Sequence, residues 1–286
     1  MHASGNVALR VSETATCNTD SAICRWPGGL LLPRSLPNLQ TPLLWLASDI
    51  LASTRDSAMA ATRRKAVQAL DSTRELTTLI QQSCLVAKDA AFNLRDFLEN
   101  SSNMAFIAVK DCEKELDRAE RKVDEQITAA ITQVSEAEAR ELLGCLKFII
   151  DLERIGDLTW SVTQRLQRMT GRIQQEDRHD LISMAEILQK MLDNIHQGFL
   201  KRDVNSANWV LKTDTQIDHV CHAVFRRHLE NKDGNFDYST NVLLMAQAFE
   251  RAGDHAKNLG EELFHLVEGH TMRHQPKRPK TSRQMQ

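Results

Sequence analysis

Three observations on the 286-residue sequence predict an all-α fold of two repeated three-helix bundles. No proline occurs between Pro42 and Pro276, so nothing in that interval forces a helix to stop. Apolar residues recur three and four apart, as in Leu70, Leu76, Leu79, Ile80, Val86 and Ala90, and again in Val204, Ala207, Val210, Leu211, Ile217, Val220 and Val224. That spacing puts one apolar stripe on each helix. A composition of 5% aromatic residues, 11 glycines and 6 prolines argues against a turn-rich β protein.

The elements follow in chain order. Residues 1–61 hold Pro27, Pro33, Pro37 and Pro42 without helical periodicity, which predicts a disordered extension. Its acidic residues Glu13, Asp20, Asp49 and Asp56 oppose a transit peptide, the pattern of a secretory signal is missing, and Met59 is a second candidate start. Residues 62–170 form the first predicted repeat. Ser101 or Ser102 caps its second helix, and Ser135 with Glu138 makes a capping box before the third. The polar stretch from Gly171 to Arg178 separates the halves. In the second predicted repeat, residues 177–270, Asp203 caps the fifth helix, and Ser239 or Thr240 caps the sixth after the turn at 232–235. Residues 271–286 carry Arg273, Lys277, Arg278, Lys280 and Arg283 without an acidic residue, and predict a solvated, disordered basic tail.

Composition narrows the function. Hydrophobic residues make up 42% and charged residues 26%, as in a globular chain, and the net charge of -2 gives no electrostatic footprint for nucleic acid. Six cysteines are scattered without C-x-x-C spacing, four of them inside apolar helical patterns, which predicts free thiols in a reducing compartment. The apolar stretch at 41–52 is too short to cross a bilayer and contains Asp49, so no transmembrane segment is expected. No phosphate-binding loop, dinucleotide fingerprint or nucleophile elbow is present.

The chemistry lies in a repeated motif. Glu153-Arg-Ile-Gly-Asp157 on the third helix returns 97 residues later as Glu250-Arg-Ala-Gly-Asp254 on the sixth. The preceding helix of each half has its own acidic pair, Glu113 with Asp117 (followed by Glu120 and Asp124) and Asp214 with Asp218. Residues four apart share a helix face. Like charges so placed cost about 0.2–0.5 kcal/mol per pair, and more when partly buried. A multivalent cation offsets that repulsion, and hard carboxylate oxygens suit magnesium, calcium, manganese or iron. Gly156 and Gly253 are poor helix formers, which predicts close approach of a neighbouring helix or ion there. Arg154 and Arg251 are candidate partners for the surplus carboxylates.

These residues resemble the PhoU family of phosphate-uptake regulators over about residues 70–274, ERIGD and ERAGD being the most specific part and LVEGHTMRH at 266–274 matching its last helix. The resemblance implies two three-helix repeats, each binding a multinuclear metal cluster. It assigns Glu113, Asp117, Glu153 and Asp157 to one cluster and Asp214, Asp218, Glu250 and Asp254 to the other. It further implies a cytoplasmic negative regulator of phosphate uptake and phosphate-starvation signalling, not an enzyme. The implied partners are the phosphate ABC transporter ATPase and the membrane sensor histidine kinase, which would bring the protein to the inner face of the membrane. A homodimer is left open, and so is direct binding of phosphate to the metal. Departures from the family pattern are Glu113 in place of Asp, His219, Cys221 and His222 after the second pair, Leu158-Thr159-Trp160 after the first ERIGD, and the N-terminal extension.

Competing readings are a carboxylate-bridged metal-dependent enzyme and a structural helical adaptor without metal. The E-x-x-H spacings Glu176 with His179 and Glu262 with His265 suggest ferritin-like di-iron sites, but Glu176 lies between the repeats. His219, Cys221 and His222 lack a distant second pair for zinc. Trp160 and Trp209 are expected in the core.

Overall fold

The computed structural model describes residues 23–25, 31–33, 73–132, 134–169, 173–230 and 235–269. Helix α1 occupies residues 73–100. It is followed by α2 (Asn103–Ala130), α3 (Glu136–Arg168), α4 (Gln175–Lys201), α5 (Val204–Glu230) and α6 (Phe236–Glu268). Of the residues 1–61 expected to be disordered, the structure describes only an antiparallel pair, β1 (Ile23–Arg25) with β2 (Leu31–Pro33), in which Cys24 faces Leu32. The rest of that expectation, and the basic tail, lie outside the described residues. Residues 1–63 and 64–286 are two separate compact units.

Local chemistry sets most helix starts. Ser101 takes a left-handed φ of 53°, which turns the chain between α1 and α2, and the Ser102 hydroxyl then accepts from the Ala105 N–H. Ser135 and Glu138 form the expected capping box at α3, each side chain bonding the other's backbone N–H. The Asp203 carboxylate accepts from the N–H groups of Asn205 and Ser206 and so caps α5. The sixth helix departs from expectation: Asn235, not Ser239 or Thr240, is its cap, accepting from the Tyr238 N–H at 3.1 Å. Helix α4 starts at Gln175, inside the polar stretch between the halves, and Asp177 is buried within its first turn.

Apolar stripes meet in one core. Leu76, Ile80, Cys84, Ala87, Ala91, Leu94 and Leu98 line α1 at helical spacing. Along α3, Phe148, Ile149, Leu152 and Ile155 are fully buried, and the Phe148 ring packs 4.8 Å from that of Phe199 on α4. Helix α3 also packs along α6, joining the halves. Two polar clasps cross that seam, Lys147 with the buried Glu262, and Asp151 with His255 and Asn258. Free thiols behave as expected for Cys84, Cys145 and Cys221, all buried, and burial pushes both Cys84 and Cys145 up to about 12. Trp160 is partly buried against Phe106 at 5.2 Å between ring centroids. Trp209 does not join the core as expected: it is 39% exposed, at the border of the α5 stripe beside the buried Val210.

Among the described residues, no helix is long and apolar enough to cross a membrane.

Candidate metal centre

Each ERxGD glycine faces the second helix of its half at close range. A Cβ on Gly156 would stand 2.7 Å from Leu116 Cδ1 and 3.8 Å from the Glu113 Cα. A Cβ on Gly253 would stand 3.0 Å from Ile217 Cδ1 and 3.7 Å from Asp214 Oδ1. These contacts fix the correspondence between the halves: Glu113 answers to Asp214, and Asp117 to Asp218. Close approach at the glycines brings the acidic pair of the second helix to the acidic pair of the third, as the repeat predicts.

In the first half, Glu113, Asp117 and Asp157 each place a carboxylate oxygen within 4.8 Å of the others, and all three residues are half-buried. Glu153 is not among these mutually close oxygens; it stands beside them in a more enclosed position. Burial pushes its carboxyl up to about 7, and the Asp157 charge adds to this while Arg154 opposes it; Glu120 and Asp117 also raise it. Burial, then Asp117 and Asp157, likewise push Glu113 above the ordinary Glu range. Asp124, a turn beyond Glu120, is exposed.

Positive charge at this cluster is sparse. Arg154 lies 3.5 Å from Glu153 Oε2 and 3.5 Å from Asp157 Oδ2, and Arg121 lies 3.9 Å from Asp117. The Arg154 contact with Glu153 is an ion pair by distance but makes no hydrogen bond, so Glu153 Oε2 is buried without a donor. Geometry weighs more here than proximity, since a charged oxygen out of water needs an aligned donor or a cation.

The second half is built differently. Asp214 is 1% exposed, and its Oδ2 accepts from the Lys257 ammonium at 2.5 Å, while its Oδ1 is buried with no donor. Asp218 and Glu250 are both raised above their ordinary ranges, in each case by burial first; Asp214 then Asp254 act on Asp218, and Asp254 then Asp218 act on Glu250. The four carboxylates are therefore neighbours. Among the described residues, however, they supply no set of three oxygens as close as that of the first half. Asp254 is exposed, and Arg251 makes no ion pair among the described residues. Lys257 belongs to no motif. Its one sequence signal is the 97-residue offset, which puts a lysine where the first half has Trp160.

The remaining candidates do not gather. Glu262 pairs with Lys147 at 3.0 Å and His265 at 3.5 Å, whereas Glu176 pairs with Arg227 at 3.3 Å, so the two E-x-x-H motifs share no site. His219 and His222 are exposed while Cys221 is buried on the core side of α5.

A family model described as "PhoU domain" matches residues 80–166 and again 181–263. The chain belongs to the PhoU family. The two matched segments of this PhoU-family chain take in all eight acidic positions of the repeat and Lys257.

The chain is 30% identical over 160 residues to the phosphate-specific transport system accessory protein PhoU homolog of Rhizobium meliloti, covering 54% of this chain and 68% of that protein. It is 26% identical over 209 residues to PhoU homolog 1 of Thermotoga maritima, covering 70% and 90%. Among solved structures, PhoU from Streptococcus pneumoniae superposes with a TM-score of 0.64 at 16% identity, over 70% of this chain and 96% of that one. PhoU from Pseudomonas aeruginosa superposes with a TM-score of 0.61 at 21% identity, over 71% and 99%. The two crystal structures support the PhoU helical fold directly.

Proposed function

We propose that this chain is a metal-binding accessory protein of phosphate-specific transport, a negative regulator of phosphate uptake and phosphate-starvation signalling rather than an enzyme. Family membership and the printed names of its relatives support the transport role. The observation that carries the metal reading is the convergence of Glu113, Asp117 and Asp157 within 4.8 Å beside a buried, donorless oxygen of Glu153.

The donor set fits a hard cation. Four carboxylates with no histidine or cysteine among them suit magnesium, calcium, manganese or iron. When bound, such an ion would neutralise charge that α2 and α3 otherwise oppose across their contact. Glu113 and Asp117 would hold it from α2, and Glu153 and Asp157 from α3. Arg154, exposed and at 3.5 Å, restrains the orientation of Asp157 without filling that role. With α2 and α3 held in register, the outer helix faces become rigid surfaces for docking. The partners in this reading are the phosphate ABC transporter ATPase and the sensor histidine kinase, met on the cytoplasmic side of the membrane.

Elemental analysis of protein purified without a histidine tag tests the reading, together with a variant carrying Glu113→Ala, Asp117→Ala, Glu153→Ala and Asp157→Ala. The expected result is bound manganese, iron, magnesium or calcium in the parent and a clear loss in the variant, with loss of co-purification with the transporter ATPase. Equal metal content in both proteins, or none in the parent, overturns the metal reading.

A further inference from the structure

The two halves carry the same acidic motif but differ in what neutralises it. Aligned on ERxGD, Glu153, Gly156, Asp157 and Trp160 correspond to Glu250, Gly253, Asp254 and Lys257. The Trp160 ring turns to Phe106, 5.2 Å away, and brings no charge to its cluster. Lys257 gives its ammonium to Asp214 Oδ2 at 2.5 Å, and Asp218 and Asp254 also lie within its electrostatic reach. Asp214 is the most buried of the eight carboxylates, so an ion pair there matters most to it.

From this we infer that Lys257 is a tethered counter-cation that takes, among the second-half carboxylates, a place metal takes in the first, so that metal loads the two halves unequally. The inference rests on the metal-binding reading above and deepens it. A cation entering the second half must share Asp214 with an ammonium already in place, through the one oxygen left over, Oδ1. In the first half, among the described residues, no side chain competes so closely: the nearest guanidinium contacts are 3.5–3.9 Å. The tether also makes the second half independent of metal supply, because its positive charge arrives with the chain.

The test is Mn2+ titration by calorimetry of the chelator-treated full chain and of Asp157→Ala, Asp254→Ala, Lys257→Met and the double variant Lys257→Met/Asp254→Ala. In the parent, Asp157→Ala removes the tight sites and Asp254→Ala spares them. Lys257→Met adds Mn2+ sites, or tightens the weak ones about tenfold or more, and the double variant loses that gain. In chelator, Lys257→Met unfolds at a lower temperature than the parent, and Mn2+ restores it. Equal losses from Asp157→Ala and Asp254→Ala overturn the inference, as does Lys257→Met with neither a gain in Mn2+ nor a fall in Tm. A parent that binds no Mn2+ removes the metal reading of the first half. The role of Lys257 is then decided by Lys257→Met alone, supported if that variant acquires Mn2+ and overturned if it does not.

Discussion

Gly156 on α3 lies so close to Leu116 on α2 that an added Cβ would stand 2.7 Å from the leucine Cδ1. Leu116 is itself fully enclosed, so its methyl cannot swing aside into water. Gly156→Ala therefore sets a helix-propensity gain of about 1 kcal/mol against an overpacking cost of about 1–3 kcal/mol. A net loss is expected, read as a lower Tm by calorimetry, with weaker Mn2+ binding because α2 is pushed off α3. At Gly253 the nearest atom is the Ile217 tip at 3.0 Å, and Gly253→Ala should be close to neutral. The same Tm for both variants would contradict this picture of the contact.

Asp177 clasps three helix ends. Its Oδ1 accepts from Arg227 Nη2 at 2.6 Å and His228 Nε2 at 2.9 Å, and its Oδ2 from the Tyr238 hydroxyl at 2.6 Å. Burial alone would raise this carboxyl, but the hydrogen bonds from Tyr238, His228 and Arg227 outweigh it and hold the group below the usual Asp range. Its stabilising contribution is complete above the ordinary Asp value of about 3.9 and is lost as pH falls through the lowered value. Asp177→Ala is expected to cost roughly 1–3 kcal/mol, because His228 and the Tyr238 hydroxyl lose a buried acceptor while Arg227 keeps Asp180 and Glu176. It should also flatten the acid limb of the stability curve in urea titrations.

Lys147 on α3 meets Glu262 on α6 through both carboxylate oxygens, at 3.0 and 3.3 Å, with Glu262 only 5% exposed. Lys147→Met strands that carboxylate with His265 alone, and a loss of about 1–3 kcal/mol follows from the unmet desolvation. The double variant Lys147→Met/Glu262→Met should recover most of it, since two apolar chains of similar size need no partner. Denaturation midpoints of the three proteins check both steps. A double variant no better than the single one would show that the clasp is not what the seam depends on.

Much of this architecture was legible because its causes are local. The capping oxygens of Ser102, Ser135 and Asp203 act within three residues of themselves, and the ERxGD repeat announces both halves. The cap of α6 was harder, since Asn235, Ser239 and Thr240 are all competent capping residues within one short stretch. Tertiary geometry decides among them: the Tyr238 hydroxyl, which reaches Asp177, sets where the helix must begin. Trp209 stands at the edge of an amphipathic stripe, where periodicity cannot distinguish core from rim.

The ion pairs were not legible in the same way. Lys257 and Asp214 are 43 residues apart, and Asp177 finds its partners 50 to 61 residues away. Nothing in either neighbourhood encodes the pairing. For the acidic clusters, spacing places each pair on one helix face, but only the glycine contacts show which faces meet.

Glu153 links the first cluster to pH. Its carboxyl is pushed up to about 7 by burial first and then by Asp157, against an ordinary Glu value of about 4.3. Between those values the folded chain holds a proton that the unfolded chain lacks. Stability of the metal-free protein from this group is thus present at low pH and is lost as pH rises from about 4.3 towards about 7. In chelator, Tm should fall across that interval, by about 2–4 °C for each kcal/mol lost in a domain of this size, and Glu153→Gln should remove the fall. A metal ion needs the ionised carboxylate, so Mn2+ binding near pH 6 should release protons, seen as a calorimetric heat that changes with the ionisation enthalpy of the buffer. A Tm that rises over the same interval in chelator, with Glu153→Gln behaving like the parent, would show that this carboxyl is not held protonated by its neighbours.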